Sequence, residues 1–230
     1  MKYKEVVKGF FKERPNRFIA KVEIDGNEET VHVKNTGRCK ELLLENSVVY
    51  LSVSDNPLRK TKYDLVAVEK KTENGIILIN MDSQAPNDMV AEWLKKGTLF
   101  SKNAIIKREV TFCKSRFDFY VEDSNNKAFI EVKGVTLENN GVALFPDAPT
   151  ERGVKHIKEL CSCVKMGYSA YIIFVIQLSG VNLFKPNDYT HKAFGDALRQ
   201  AEKSGVSILA YDSIVTNDSV CINKPIMIEL

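Results

Sequence analysis

Residues Ser115–Val135, SRFDFYVEDSNNKAFIEVKGV, constrain the fold more than any other stretch of the chain. Two apolar-rich strands flank Asp123-Ser124-Asn125-Asn126, a cluster with hairpin-turn chemistry. A turn centred between Ser124 and Asn125 sets Asp118 across from Glu131, Phe119 across from Ile130 and Phe117 across from Val132. Side chains alternate along a strand, so Phe117, Phe119, Val121, Ala128, Ile130 and Val132 share one apolar face, predicted to lie on the core. The other face then carries Arg116, Asp118, Glu131 and Lys133. Opposed Cβ atoms in an antiparallel pair lie about 4.5–5.5 Å apart, so this register gathers two carboxylates and an ammonium. Adjacent carboxylates repel, and a hard divalent cation such as Mg2+ relieves the repulsion through oxygen coordination. Asp, then Glu-x-Lys across a hairpin, suits metal-assisted phosphodiester cleavage, with the lysine acting on the attacking water. The same spacing also fits a solvated hairpin face bearing alternating charges.

Before the hairpin, residues 1–83 read as short strands. Arg17–Ile24 alternates and turns at Asp25-Gly26-Asn27 into Glu29–Asn35. Asn46–Ser54, Tyr63–Lys71 and Gly75–Asp82 follow, with Asn74-Gly75 a strong hairpin signal and Cys39–Leu44 a short helical stretch. About five strands in so short a length predict a small closed barrel of the OB type, because closure removes sheet edges. Arg17, Arg38, Arg59 and Lys60 fall at strand ends or in loops of this barrel, with Phe10, Phe11 and Tyr63 nearby. They are candidates to track a phosphate backbone and stack bases; solvating charges and core aromatics explain the same residues singly.

From Ala85 the periodicity becomes helical. Asn87 is a predicted cap for a helix with Met89, Val90, Trp93 and Leu94 on its apolar stripe and Glu92 within it, stopping at Gly97. Ala104–Phe112 is a strand leading into the hairpin. A long loop from Gly134 to Thr150 has a length that suggests function. Thr150 caps the next helix, which carries Val154, Ile157, Leu160, Cys161 and Val164 at apolar positions and stops at Gly167. Tyr171–Gln177 reads as a strand buried on both faces. A helix over His191–Lys203, a strand over Ser207–Tyr211 and a short one near Pro225–Ile228 complete an α/β unit over residues 84–230.

The net charge is only +3, so any nucleic-acid surface must come from local clustering. The 5 cysteines are odd in number and form no CxxC, which reads as reduced thiols of a cytoplasmic protein. The 3 histidines lack zinc-ligand spacing, and no apolar run reaches the length of a membrane span.

SRFDF at 115–119, EVK with VTL within Glu131–Leu137, and GVALFPDAPTERGVKHIKEL at Gly141–Leu160 resemble the sugar fermentation stimulation protein family. Asn35-Thr36-Gly37 and Phe174-Val175-Ile176-Gln177 extend the resemblance nearly end to end. It implies an all-β OB-like five-stranded barrel over residues 1–83, followed by an α/β domain of the PD-(D/E)XK nuclease fold over residues 84–230. It also implies non-specific DNA binding and a regulatory role in maltose metabolism. By position, Asp118, Glu131 and Lys133 occupy the nuclease motif, and Glu92 matches an upstream acidic residue that many such nucleases use. Phe117 replaces the motif's nominal proline.

Two functions follow from this reading. In the first, the chain is a nuclease: Asp118, Glu131 and the Val132 carbonyl hold Mg2+ or Mn2+, Glu92 holds a second ion or an outer-shell water, and Lys133 positions the attacking water. Gln177 is a candidate to orient a phosphate or water, or is simply a strand-terminal polar residue. Arg116, Arg152 and Lys155 are candidate phosphate contacts, and RNA is a second candidate substrate beside DNA. In the second, the chain is a DNA-binding regulatory factor without catalysis.

Overall fold

The structure is a computed structural model that describes residues 1–230 except Thr36, Arg38 and Asn74. Six strands open the chain: β1 (Val6–Asn16), β2 (Ile19–Ile24), β3 (Asn27–Val33), β4 (Val48–Val53), β5 (Tyr63–Thr72) and β6 (Gly75–Asn80). They lie in the order β3-β2-β1-β4-β5-β6, and an additional parallel pairing of β3 with β5 through His32↔Asp64 and Val33↔Leu65 closes β1 to β5 into a ring. The ring is the OB arrangement, with β6 hanging from β5 outside it.

The predicted fifth strand is β6, which lies outside the ring, and the ring's first strand, β1, is not among the five predicted above. Its alternation is broken by irregular register against β2 between Phe11 and Glu13 and again between Glu13 and Asn16, so period-2 patterning fails there. Gly9 lets β1 bend over the barrel core, since a Cβ at that position would sit 2.6 Å from Val22 Cγ1. The helical stretch expected over Cys39–Leu44 is a single turn, closed by the Leu42 and Leu43 amides on the Cys39 carbonyl. The strong turn signal at Asn74 lies outside the described residues, though β5 and β6 do pair antiparallel around it.

The second unit begins with helix α1 (Ala85–Lys95), followed by β7 (Ile105–Phe112), β8 (Ser115–Asp123) and β9 (Asn126–Val135). A small hairpin, β10 (Leu137–Asn139) and β11 (Val142–Phe145), occupies the expected loop and leads to α2 (Glu151–Lys165) and β12 (Ser169–Ile176). After β13 (Leu183–Pro186) come α3 (Asp188–Lys203), β14 (Ser207–Val215), β15 (Val220–Pro225) and β16 (Met227–Ile228). The main sheet runs β15-β14-β12-β9-β8-β7, with β9, β12 and β14 parallel, and the minor sheet runs β10-β11-β13-β16. Helix α1 covers one face of the main sheet and α2 and α3 the other, so β9 and β12 are buried on both faces. Thr150 caps α2 as expected, its hydroxyl accepting from the Gly153 amide at 3.1 Å.

The barrel and the second unit share one apolar cluster, which runs from Phe11 and Leu51 through Met81 and Val135 to Leu160, Phe174 and Phe194. The chain's first residues also cross over, the Tyr3 amide donating to the Asp218 carbonyl at 2.8 Å. A polar tie joins β5 to β10, where Lys70 Nζ donates to Glu138 Oε2 at 2.5 Å and to the Glu138 carbonyl at 2.8 Å. Burial alone would raise the Glu138 pKa, but the Lys70 contact and the Gly141 amide outweigh it and hold this carboxyl below its usual 4.5. The stabilising contribution is therefore complete above pH 4.5 and fades as pH falls through the folded value. Lys70→Met is expected to lower the unfolding free energy at pH 7 by about 2 kcal/mol, the gap between the two proteins closing in more acidic buffer. Urea titrations across that range check this; a gap that stays constant would mean that the contact contributes packing alone.

Candidate active site

The two-residue turn at Ser124-Asn125 is present, and β8 pairs with β9 through Phe119↔Ile130, Val121↔Ala128 and Asp123↔Asn126. The ladder stops at Phe119, one residue short of Asp118. There Asp118 turns its carboxylate into the neighbouring backbone, and Oδ2 accepts the Val132 amide at 2.7 Å. This bond stands where the next ladder pair would form. The change also splits the expected apolar face. Phe119, Val121, Ala128, Ile130 and Val132 pack beneath α1, whereas Phe117 joins Phe112 and Phe129 on the α2 side and meets the His156 ring edge-on at 6.2 Å. Opposite this point Glu109 of β7 has a left-handed backbone (φ 56°) between the Arg108↔Phe119 and Val110↔Phe117 pairs.

Glu131 does not lie on a solvated face: it is 3% exposed, covered by α2. Its Oε1 accepts from Lys133 Nζ and from His156 Nδ1, the latter at 2.5 Å. Arg152 Nε donates to His156 Nε2 at 3.4 Å, which leaves that nitrogen an acceptor and assigns the ring proton to Nδ1. Both cationic and imidazole donors thus fall on one oxygen. The other, Oε2, is buried without a hydrogen-bond partner among the described residues. Asp118 is half-buried, and its Oδ1 accepts from Asn87 Nδ2 of α1 at 2.9 Å.

The two carboxylates are driven in opposite directions. Burial and the Glu131 charge raise the Asp118 pKa, more than the Val132 amide, Lys133 and Asn87 lower it. Burial also acts to raise Glu131, but His156 and Lys133 outweigh it and hold Glu131 below its ordinary value. The donors lie on Glu131, so Asp118 carries the cost of the repulsion. A buried carboxylate oxygen without a partner, beside a second carboxylate whose charge is disfavoured, is a donor set suited to a hard divalent cation. Among the described residues there is no group of three or more His, Cys, Asp or Glu side chains placed to hold a metal. A cation here would therefore depend on the two carboxylates, backbone carbonyls and water.

The structure thus brings Asp118, Glu131, Val132 and Lys133 together and adds Arg152 through His156. Glu92 lies elsewhere: its carboxylate takes the Met1 amino group at 2.7 Å, and the α1 side chain that reaches the motif is Asn87. Asn87 sits inside α1 rather than capping it, the cap position being Gln84. Gln177 is 2% exposed and donates Nε2 to the Asn80 and Asp82 carbonyls at 3.1 and 3.0 Å and to Asn80 Oδ1 at 2.8 Å, pinning the barrel's exit to the end of β12. Among the remaining candidate phosphate contacts, Arg116 pairs with Glu109 and Lys155 donates to the Lys114 carbonyl. Arg59 is committed to Asp64 by two hydrogen bonds of 2.9 and 2.6 Å. Arg17 lies over the exposed Phe18 ring, 4.7 Å from its centroid, and Lys60 is exposed in its loop. Arg38 lies outside the described residues.

Sequence reasoning missed Asn87 as a motif partner, and His156 altogether. The signal for His156 was present: it falls on the apolar stripe of α2 with Val154, Ile157 and Leu160, where a ring with polar nitrogens needs a buried partner.

Comparison with known proteins settles the family. Residues 84–219 match the model of the "Sugar fermentation stimulation protein RE domain", and residues 13–79 match that of the "SfsA N-terminal OB domain". The chain belongs to the sugar fermentation stimulation protein family. It is 57% identical over 230 residues to a homologue from Ruminiclostridium cellulolyticum, covering 100% of both chains. With a homologue from Clostridium beijerinckii it shares 59% identity over 220 residues, 96% of each chain. Among solved structures, SfsA from Pyrococcus furiosus in complex with Ca2+ superposes with a TM-score of 0.86 at 26% identity, over 100% of this chain and 98% of that one. The architecture is thus an OB domain joined to a restriction-endonuclease-like domain, a pairing consistent with DNA binding.

If Asp118 bears uncompensated repulsion, Asp118→Asn is expected to raise the thermal midpoint in chelator at neutral pH by a few degrees. Millimolar Mn2+ should stabilise the unaltered protein, by about 2.7 kcal/mol at a hundredfold excess over Kd, and leave the variant unmoved. Thermal scans of both proteins with and without the ion decide it; equal Mn2+ shifts would remove Asp118 from the cation site.

Proposed function

We propose that this chain is a nuclease that hydrolyses phosphodiester bonds in DNA with the help of Mg2+ or Mn2+. The observation that carries the reading is the buried, partnerless Oε2 of Glu131 beside Asp118, with the Lys133 ammonium on the opposite oxygen. Asp118 and Glu131, with the Val132 carbonyl, are the groups that would hold the ion, and the Ca2+ complex of the Pyrococcus furiosus relative supports a site for a hard cation. Such an ion supplies Lewis-acid charge at a phosphate oxygen.

The chain's own residues do the rest. His156 fixes the Glu131 carboxylate by its Nδ1–H and is itself held by Arg152, so the ligand oxygen cannot rotate freely. The Asn87 amide and the Val132 N–H fix Asp118 in the same way. Lys133 Nζ is only partly buried and lies on Glu131 Oε1, where it can donate to the attacking water or a phosphate oxygen and offset growing negative charge. Arg152 and Lys155 project from the exposed side of the first turns of α2, a helix end that favours anions. The barrel supplies Arg17, Lys60 and the exposed Phe10 and Phe18 as sequence-independent contacts.

One observation favours a DNA-binding regulatory role without catalysis: Glu92, the third acidic residue such a nuclease would use, is turned to the Met1 amine. A cleavage assay separates the two. Highly purified protein is expected to cut DNA in Mg2+ or Mn2+ and to stop on addition of chelator. Lys133→Met and Glu131→Gln should each lower cleavage by about a hundredfold or more while binding DNA within about twofold of the unaltered protein at low salt. No chelator-sensitive cleavage of single-stranded, duplex or branched DNA, or of RNA, would leave the regulatory reading standing.

A further inference from the structure

One residue beyond Lys133, at the carboxyl ends of the parallel strands β9 and β12, a cavity of about 170 Å³ opens between the barrel and the second unit. Ligands commonly bind at this end of such strands. Its walls come from the barrel loop at Asn35 and Gly37, from Gly134 and Thr136 after β9, from Leu144, Phe145 and Asp147 around β11, and from Gln177. The volume is below the roughly 300 Å³ at which pockets for drug-sized ligands begin, so it suits a single ring-sized group.

The polar groups of the cavity define that ring. Gln177 is 2% exposed, and its Oε1 has no partner among the described residues, although Nε2 makes three bonds. The Oε1 atom lies 2.5 Å from where a Cβ on Gly134 would stand, too close for a side chain, so this wall requires a glycine. The Thr136 hydroxyl and the Asp147 carboxylate line the same cavity, with no hydrogen-bond partner among the described residues. Asn35 uses Oδ1 to accept the Gly37 amide at 2.8 Å, which leaves its Nδ2 to donate. Asp147 Oδ2 and Asn35 Oδ1 converge over Gly37, 2.7 and 2.9 Å from where its Cβ would stand.

The Asp147 carboxylate at its wall opposes a phosphate and accepts from the N–H groups of a neutral ring. The wall is rich in acceptors, with one amide donor beside the carboxylate. Guanine alone among the bases presents two adjacent donors, N1–H and the 2-amino group, next to an acceptor, O6. Adenine and cytosine place a ring acceptor beside their single amino group, and thymine flanks one donor with two carbonyls. Phe145, Leu144 and Leu137 supply apolar surface for the ring face.

We propose that this cavity receives one unpaired guanine of the substrate strand beside the phosphodiester held at Asp118 and Glu131, so that the chain acts on single-stranded nucleic acid with a guanine preference. The inference rests on the nucleic-acid reading above, and it requires a single strand because a base in a duplex already spends its Watson–Crick edge on its partner.

The test is fluorescence anisotropy in chelator, where cleavage plays no part. The probe is a labelled thymidine oligomer of about ten nucleotides, either unsubstituted or with one central dG, dA or dC. The dG oligomer is expected to bind about tenfold or more tighter than the other three, the discrimination a bidentate base contact supplies. Annealing the complementary strand should abolish that advantage. Asp147→Asn, at an exposed position, should remove the guanine preference without weakening affinity for the thymidine oligomer, from which it removes only a repulsive charge. Equal affinity for all four oligomers, or a preference that survives Asp147→Asn, would overturn the guanine cavity and leave the nuclease reading intact. Failure to bind any oligomer would overturn both.

Discussion

A carboxylate buried inside a two-sided α/β sandwich is the constraint around which the second unit is built. Glu131 lies on β9, covered on one side by α2 and on the other by the sheet and α1. An ionised carboxylate in such a place is tolerated only with donors supplied. His156 comes from the buried stripe of α2, Lys133 from the same strand, and Arg152 one turn before His156 holds the imidazole in turn. These contacts fix the rotation of α2 relative to β9. They also explain why a histidine occupies an otherwise apolar stripe. Asp118 is placed by the same logic from the other face, where the first turn of α1 contributes Asn87.

The second constraint is the junction of the two units. Strand β6 ends in Asn80, whose amide donates to the Gln177 carbonyl at 2.9 Å while the Gln177 side chain bonds back to residues 80 and 82. Asp82, fully buried, accepts from Lys34 at 2.6 Å, from the Gln84 amide at 3.0 Å and from Tyr3 at 3.3 Å. Burial, and then the Asp82 charge, push the Tyr3 phenol well above its usual 10, so it remains a donor at every ordinary pH. With the shared apolar cluster, this network makes the barrel a fixed lid over the strand ends of β9 and β12. The Asn35–Gly37 loop is set there by Arg14, which donates to the Asn35 and Gly37 carbonyls at 2.6 and 2.8 Å. The walls of the inter-unit cavity are therefore held in place by hydrogen bonds of the chain itself.

Local chemistry was legible in the sequence where one physical rule dominated. The hairpin register followed from the Ser124-Asn125 turn, the α2 start from Thr150, and the doubly buried β12 from an unbroken apolar run. Failures came where tertiary contact overrode local pattern. Phe117 left the face of Phe119 because Asp118 exchanges a ladder position for a side-chain bond to the Val132 amide. Strand β1 was hidden by its irregular register, and β15 by the polar residues Asn223 and Lys224 on a half-exposed edge strand. Glu92 is on the expected helix, but its carboxylate is on the Met1 amine, and it lies five residues beyond Asn87, over a third of a turn away at 3.6 residues per turn, whereas Asn87 bonds Asp118. Helical phase relative to the sheet is set by packing, and no spacing within α1 discloses it.

The partnerless oxygen of Glu131 carries a physical cost of its own. A carboxylate kept for structure alone would gain by sharing its donors between both oxygens, because an unsatisfied buried acceptor costs about 1–3 kcal/mol. Here Lys133 and His156 both fall on Oε1, although Lys133 has three protons and a flexible stem with which to reach elsewhere. The arrangement leaves a desolvated anion with one lone-pair face bare and a second carboxylate beside it. Water can satisfy such a face only where it can enter, and a divalent cation satisfies it while also cancelling the repulsion that burdens Asp118. Asp118 bears that cost together with its positioning hydrogen bonds from Asn87 and the Val132 amide, and the proposed cation site rests on this combination.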